Sequence, residues 1–191
     1  PWRENHGCHD ERWPQRNGSV GAAFFTACPG CHGAGLRLRR RGEHQNAVEA
    51  VPKGKVQGID YSAVSVEKAR KVNAGAIAAG RCTVQQASVA ELPFEAEQFD
   101  VVTAFETVYF WPELVQNFRE VYRVLKPGGV FFICNEANGD TDKDKKWTEI
   151  IGGMTIYTDT ALKAYLEQAG FCQIQSHKNK KGWLCVTAQK R

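Results

Sequence analysis

The 191-residue chain has a single methionine, Met154, and none at its start. A chain opening Pro1-Trp2-Arg3 reads as a fragment or a processed product, and it lacks the charged and then apolar layout of a signal peptide. No apolar run approaches the roughly 18 residues of a membrane span, which excludes a transmembrane reading. A strong excess of one charge is also missing: the net charge of +4 is too mild to demand nucleic acid. The seven cysteines show no paired framework, so buried reduced thiols of a cytoplasmic protein are expected. Lysine is absent from residues 1–46, which hold seven arginines, whereas residues 47–191 hold thirteen lysines and five arginines. That imbalance marks a boundary near residue 46.

What is present after the boundary alternates between strand and helix patterns. Lys55–Asp60, Cys82–Ala87 and the apolar run Phe99–Phe105 read as strands, and Val130–Asn135 as a further buried strand. Ser65 is placed to cap a helix over about residues 66–79. Pro112 opens another, with Leu114, Val115, Phe118, Val121, Tyr122 and Leu125 at helical spacing. Pro127-Gly128-Gly129 is expected to stop it. A helix over about 159–169 precedes two strands, Cys172–His177 and Trp183–Gln189. Asn138–Lys146 is polar and expected to be a mobile loop, and Lys178–Lys181 a solvated hairpin tip. Strands separated by helices of this length predict an α/β fold, a doubly wound and mostly parallel sheet with an antiparallel final pair. Residues 1–46 are expected to be irregular or disordered, and 47–191 to form the domain.

In open α/β sheets the ligand crevice lies beyond the carboxyl ends of the strands. The strand ends here carry Asp60-Tyr61-Ser62, Phe105-Glu106-Thr107-Val108-Tyr109-Phe110-Trp111 and Asn135-Glu136. An acid at the tip of a second strand can take both hydroxyls of a ribose, or can simply be a turn residue. Four segments then carry a resemblance: GKVQGIDYS (54–62), ELPFEAEQFDVVTAFETVYFW (91–111), EVYRVLKPGG (120–129) and AGFCQI (169–174). In this order and at these intervals the chain resembles a class I S-adenosylmethionine-dependent methyltransferase of the small, stand-alone kind. The resemblance implies a Rossmann-like sheet of seven strands, S-adenosylmethionine as cofactor and a small-molecule acceptor.

By the same resemblance Asp60 binds the ribose hydroxyls, Tyr61 packs near the adenine, and Ser88 with Val89 lies where the adenine amino group is met. Phe105 and Glu106 fall beneath the methionine part. Methyl transfer is an in-line displacement, so holding donor and acceptor in line matters most, and a base is needed only if the acceptor loses a proton. Glu106 and Glu136 are the candidate carboxylates. Tyr109, Trp111, Met154 and Tyr157 are candidates for an acceptor pocket, with plain packing as the alternative.

One element of the family pattern is missing. A first strand should end in an acid and a glycine-rich loop about twenty residues before Asp60. That stretch instead reads Ala34-Gly-Leu-Arg-Leu-Arg-Arg-Arg-Gly42, whose arginines cannot supply the tight turn of glycine and would bring positive charge to a cationic sulfonium. These nine residues can be encoded by GCT GGA CTT CGG CTG CGG CGG CGG GGN. Read one base later, the same bases give Leu-Asp-Phe-Gly-Cys-Gly-Gly-Gly. Translation of residues 1 to about 46 out of frame is therefore an expectation that the gene's bases decide, and cofactor binding should be impaired.

Three other readings stand beside this one. Cys28-Pro-Gly-Cys31-His-Gly-Ala-Gly35 is one copy of a CxxCxGxG unit, short of the four ligands of a zinc site, so no metal is expected; with the arginines it would make a zinc-containing nucleic-acid binder. A nicotinamide-dependent dehydrogenase would also use Asp60, but no GxGxxG is present. A non-catalytic remnant of the methyltransferase fold is the third. The expected partners are a small-molecule substrate and neither nucleic acid nor membrane, with the chain a monomer or weak dimer.

Overall fold

A computed structural model describes residues 25–26, 32–36, 54–178 and 182–191. The strand Lys55–Asp60 (β3) alternates in burial and then stays buried, as a strand covered on both faces does. Ser62 rather than Ser65 caps the next helix, α1 (Ala63–Val72), its hydroxyl accepting from the Ser65 N–H at 3.4 Å. Asn73 interrupts that helix: both its backbone N–H and its side-chain amide donate to the Ala69 carbonyl, and a short α2 (Ala74–Ala78) follows. Then come β4 (Cys82–Gln86), β5 (Phe99–Phe105), α3 (Leu114–Val124), β6 (Leu125–Asn135), α4 (Asp142–Ile150), α5 (Asp159–Gln168), β7 (Cys172–Lys178) and β8 (Leu184–Gln189).

The strands form one sheet. β3 pairs in parallel with β4, β5 with β6, and β8 enters antiparallel between β6 and β7. The slot between β3 and β5 is met from the N-terminal part. β2 (His32–Leu36) pairs in parallel with both neighbours, while the two-residue β1 (Phe25–Thr26) pairs antiparallel with the same two. One gap cannot hold two strands, and β2 has the longer register, five positions against β3. The other expectations for residues 1–46, the CxxC unit's cysteines and the arginine run among them, lie outside the described residues, as does most of the hairpin tip.

Both faces of the sheet are covered. On one, Phe118, Val121 and Val124 of α3 and Leu162 and Leu166 of α5 pack on Val102, Phe131, Ile133 and Val186 in the larger core cluster. On the other, Val66 and Ala69 of α1 pack on Val56, Cys82 and Val84. Phe118 is wholly buried with an edge-to-face contact to Phe131 at 5.6 Å. Truncating such a ring to alanine costs about 3–5 kcal/mol.

Two local expectations are corrected. Pro127-Gly128-Gly129 does not separate the helix from the strand: β6 begins at Leu125, with a register shift against β5 between Phe99 and Val101. The ladder tolerates the proline because the shift leaves it unpaired with β5, while Gly128 donates to the Lys190 carbonyl and Gly129 accepts from the Lys190 N–H on the other side. Residues 142–150 form α4 instead of a loop. Thr141 caps it by accepting from the Asp144 N–H, and the Asp144 carboxylate in turn accepts from the N–H groups of Asn138 and Gly139 at 3.3 and 3.0 Å. These caps, not an apolar face, start the helix, which is why its composition reads as loop.

Candidate active site

The carboxyl ends of β3, β4, β5 and β6 lie along one edge of the sheet, since these strands are mutually parallel with β2 between β3 and β5. Asp60 ends β3 and is 2% exposed. Its Oδ1 accepts from the Ser62 N–H at 2.8 Å, which aligns the carboxylate at the strand tip and leads the chain into α1. Tyr61 beside it is 63% exposed, an aromatic face open to a flat partner. Its carbonyl is held by the Gln86 side-chain amide at 2.8 Å, which ties the ends of β3 and β4 together. Beyond β4, Ser88 is exposed and its hydroxyl accepts from the Ala90 N–H at 3.2 Å, while Val89 turns into the core.

Phe105 ends β5 with its ring edge-on to Phe132 at 5.5 Å. Glu106 follows in the left-handed backbone region, φ +54°, a conformation costing a non-glycine residue roughly 1–2 kcal/mol. Sequence patterns carry no signal for that twist. The turn aims the buried carboxylate across to β6, where its Oε1 accepts from the Glu136 N–H. The Tyr109 hydroxyl lies 3.4 Å from the same oxygen. It also donates to the Ala137 carbonyl at 3.1 Å and accepts from the Ala137 N–H at 2.8 Å. Burial, with the Glu106 carboxylate beside it, pushes the Tyr109 phenol far above its ordinary range, so it stays protonated. Glu106 and Tyr109 thus bolt the ends of β5 and β6 together, and Glu136 is the exposed carboxylate at that edge.

The structure places the four acceptor-pocket candidates unequally. Tyr109 is 2% exposed, and Trp111 lies in the core, stacked on Phe131 with centroids 6.2 Å apart. Met154 and Tyr157 are half-buried in the segment between α4 and α5. The Thr155 N–H donates to the Tyr109 carbonyl at 2.8 Å, so that segment is tied to the same strand edge. Two buried residues at this edge, Thr107 and Asn135, are polar strand ends to which the sequence assigns no role, and their side chains have no hydrogen-bond partner. Among the described residues no cluster of three or more His, Cys, Asp or Glu could hold a metal ion. No described helix is long and apolar enough to cross a membrane.

The arrangement agrees with known proteins. Residues 40–133 match the family model described as "Methyltransferase domain". A 24-methylenesterol C-methyltransferase of Arabidopsis thaliana is 27% identical over 141 residues, 68% of this chain and 39% of the relative. A demethylmenaquinone methyltransferase of Symbiobacterium thermophilum is 37% identical over 93 residues, 49% of this chain and 37% of the relative. The chain thus spans about two fifths of the length of these relatives. Among solved structures, a Haloferax volcanii methyltransferase in complex with the Trm112 activator superposes with TM-score 0.70 at 18% identity, over 85% of this chain and 84% of that one. A methyltransferase of Thermotoga maritima gives 0.59 at 17% identity, over 71% and 73%.

Over residues 40–133 the chain carries a methyltransferase domain, in the fold of the S-adenosylmethionine-dependent methyltransferases. The cofactor of that family is S-adenosylmethionine.

Proposed function

We propose that this chain is built to transfer a methyl group from S-adenosylmethionine to a carbon of a small, largely apolar acceptor, with cofactor binding impaired by residues 37–41. The bound cofactor supplies a methyl group activated on a sulfonium. Asp60 carries the reading: a buried acid aligned at the tip of β3, beside an exposed aromatic, fits a ribose and an adenine ring. Tyr61 packs on the adenine, Val89 walls it, and Ser88 meets its amino group. Phe105 and the Glu106 turn lie under the methionine part. The pinned strand edge holds donor and acceptor in line, the main task of such an enzyme.

Carbon as the accepting atom is proposed from the two relatives above, which act on a sterol and on demethylmenaquinone by their names. When a ring carbon is methylated a proton must leave, and Glu136, exposed at the edge, is the base we assign to it; Glu106 is already engaged. Met154 and Tyr157 face the acceptor, and Tyr109 and Trp111 support them from within. The acceptor is the only partner we assign: neither nucleic acid nor membrane enters this reading, and the chain works as a monomer or weak dimer in the cytoplasm.

The impairment follows from sequence position. β2 ends at Leu36, and Arg37-Leu-Arg-Arg-Arg41 stands where a glycine loop would let the backbone approach the cofactor. We propose that residues 1 to about 46 are read out of frame, and that the domain proper is 47–191, lacking a normal first strand and glycine loop, with β2 standing in the slot of that strand. Sequencing the gene tests this directly: a missing or extra base before codon 47 is expected, and an intact frame contradicts it. The function is tested by incubating the chain carrying Leu-Asp-Phe-Gly-Cys-Gly-Gly-Gly at 34–41 with methyl-labelled cofactor and 1,4-naphthohydroquinone. Label in the ring product supports the reading. Cofactor binding without transfer to this ring or to a sterol removes the acceptor class, and supports a non-catalytic remnant.

A further inference from the structure

Asn135, the last residue of β6, is fully buried, and neither its side-chain oxygen nor its nitrogen has a hydrogen-bond partner. Thr107 is equally buried, and its hydroxyl is also unpartnered. The β5–β6 register, Phe105 opposite Cys134, brings Asn135 opposite Glu106, with Thr107 the next residue along the chain. An asparagine side chain offers two donors and a carbonyl acceptor, and a threonine offers one donor with two lone pairs. Nearly all buried polar groups of native proteins are satisfied, and leaving them empty is costly. Packing alone would be served better by leucine and valine.

Their position tells what could satisfy them. Asp60 and Ser88, which we assign to the ribose and adenine, lie at the ends of β3 and β4, on the far side of β2 and β5. Along β6, Asn135 shares its face with Phe131 and Ile133, the face of the larger core where Tyr157 also packs. The segment that carries Met154 and Tyr157 is tied to this edge through the Thr155 N–H to Tyr109 carbonyl bond. α4, which leads into it, leaves Trp147 and Ile150 44% and 72% exposed. Asn135 and Thr107 therefore sit at the end of the strand edge away from Asp60 and Ser88, beside the segment that carries Met154 and Tyr157.

Resting on the methyltransferase reading, we infer that Asn135 and Thr107 recognise an oxygen substituent of the acceptor. A hydroxyl donates to the Asn135 carbonyl while accepting from its amide, which answers both empty atoms. Of the two acceptor chemistries proposed above, this selects a ring with oxygen close to the methylated carbon, a phenol or hydroquinone, over an acceptor that presents only an alkene at the transfer end. An alkene would leave the amide unpaired in an apolar surrounding, and sites built for a hydroxyl discriminate strongly against analogues that lack it.

The test titrates 1,4-naphthohydroquinone and its oxygen-free analogue 1,4-dihydronaphthalene into the full chain, followed by tryptophan fluorescence. The chain, Asn135→Leu and Thr107→Val are compared. The hydroquinone is expected to bind at least tenfold more tightly than the hydrocarbon, and Asn135→Leu to bring the two within about twofold. Thr107→Val should lose part of the preference. Both variants should keep a melting temperature at or above the parent's, because an unsatisfied buried group has been removed. A preference that survives both substitutions overturns the inference, because a buried water or simple packing then accounts for the pair. Equal binding of the two probes to the parent also overturns it. Cofactor affinity, measured separately on the chain with the glycine loop, reads the methyltransferase assignment by itself: its failure with the hydroquinone preference intact would remove only that assignment.

Discussion

The Tyr109 hydroxyl makes two hydrogen bonds with Ala137, donating to its carbonyl at 3.1 Å and accepting from its N–H at 2.8 Å. One side chain from the turn after β5 thereby satisfies the backbone of the residue two beyond β6. Glu106 makes the parallel connection to Glu136. The crevice edge between these strands is held by side chains where the sheet ladder has ended.

Tyr109→Phe keeps the ring and removes that connection. It leaves a buried N–H and carbonyl of Ala137 unsatisfied, so a loss of about 2 kcal/mol is expected in urea unfolding. A change within error would mean that water replaces the hydroxyl and that the strand ends do not depend on it.

Asp60→Asn separates fold from binding. The amide oxygen can still accept from the Ser62 N–H, and the melting temperature without ligand, measured in parallel, separates any loss of stability from the loss of binding. On the chain carrying the glycine loop, S-adenosylhomocysteine should bind about 100-fold more weakly, from the loss of charged hydrogen bonds to the ribose. Unchanged affinity would move the ribose elsewhere.

The turn at residues 91–94 is held by a charged clasp with a definite pH signature. Glu120 accepts from the Leu92 N–H and pairs with Arg123, whose guanidinium donates to the Leu92 and Phe94 carbonyls. The hydrogen bond from Arg123 lowers the Glu120 pKa below its usual value. A carboxylate depressed in the folded state contributes stability that is present above its unfolded pKa and is lost as pH falls through the folded one. Glu120→Gln should therefore lower the melting temperature by about 3 °C at neutral pH, the effect of about 1 kcal/mol for a partly exposed pair. The gap should close below about pH 4, and a gap constant with pH would contradict the charge-based account.

Much of the fold was legible because its strands are short apolar runs bounded by clear punctuation: Phe99–Phe105 has the same ends in both readings. The antiparallel end pair was equally readable. Helix α4 was not, because two caps at Thr141 and Asp144 make it and no buried stripe marks it. The site was legible only along the chain. Asp60, Tyr61 and Glu106 could be placed at strand tips, but the left-handed turn at Glu106 and its bond to Glu136 depend on two strands meeting. Asn135 and Thr107 looked like ordinary polar ends of strands, since missing partners appear only in three dimensions.

On this reading a cofactor crevice around Asp60 is served by a damaged approach loop after β2. Calorimetry of S-adenosylmethionine binding, on this chain and on one with residues 34–41 replaced by Leu-Asp-Phe-Gly-Cys-Gly-Gly-Gly, tests it most directly. The replaced chain is expected to bind, and the present one to bind far more weakly or not at all. Equal binding by both would make the arginine segment a working variant loop and contradict the proposed damage. No binding by either folded chain would contradict the crevice itself.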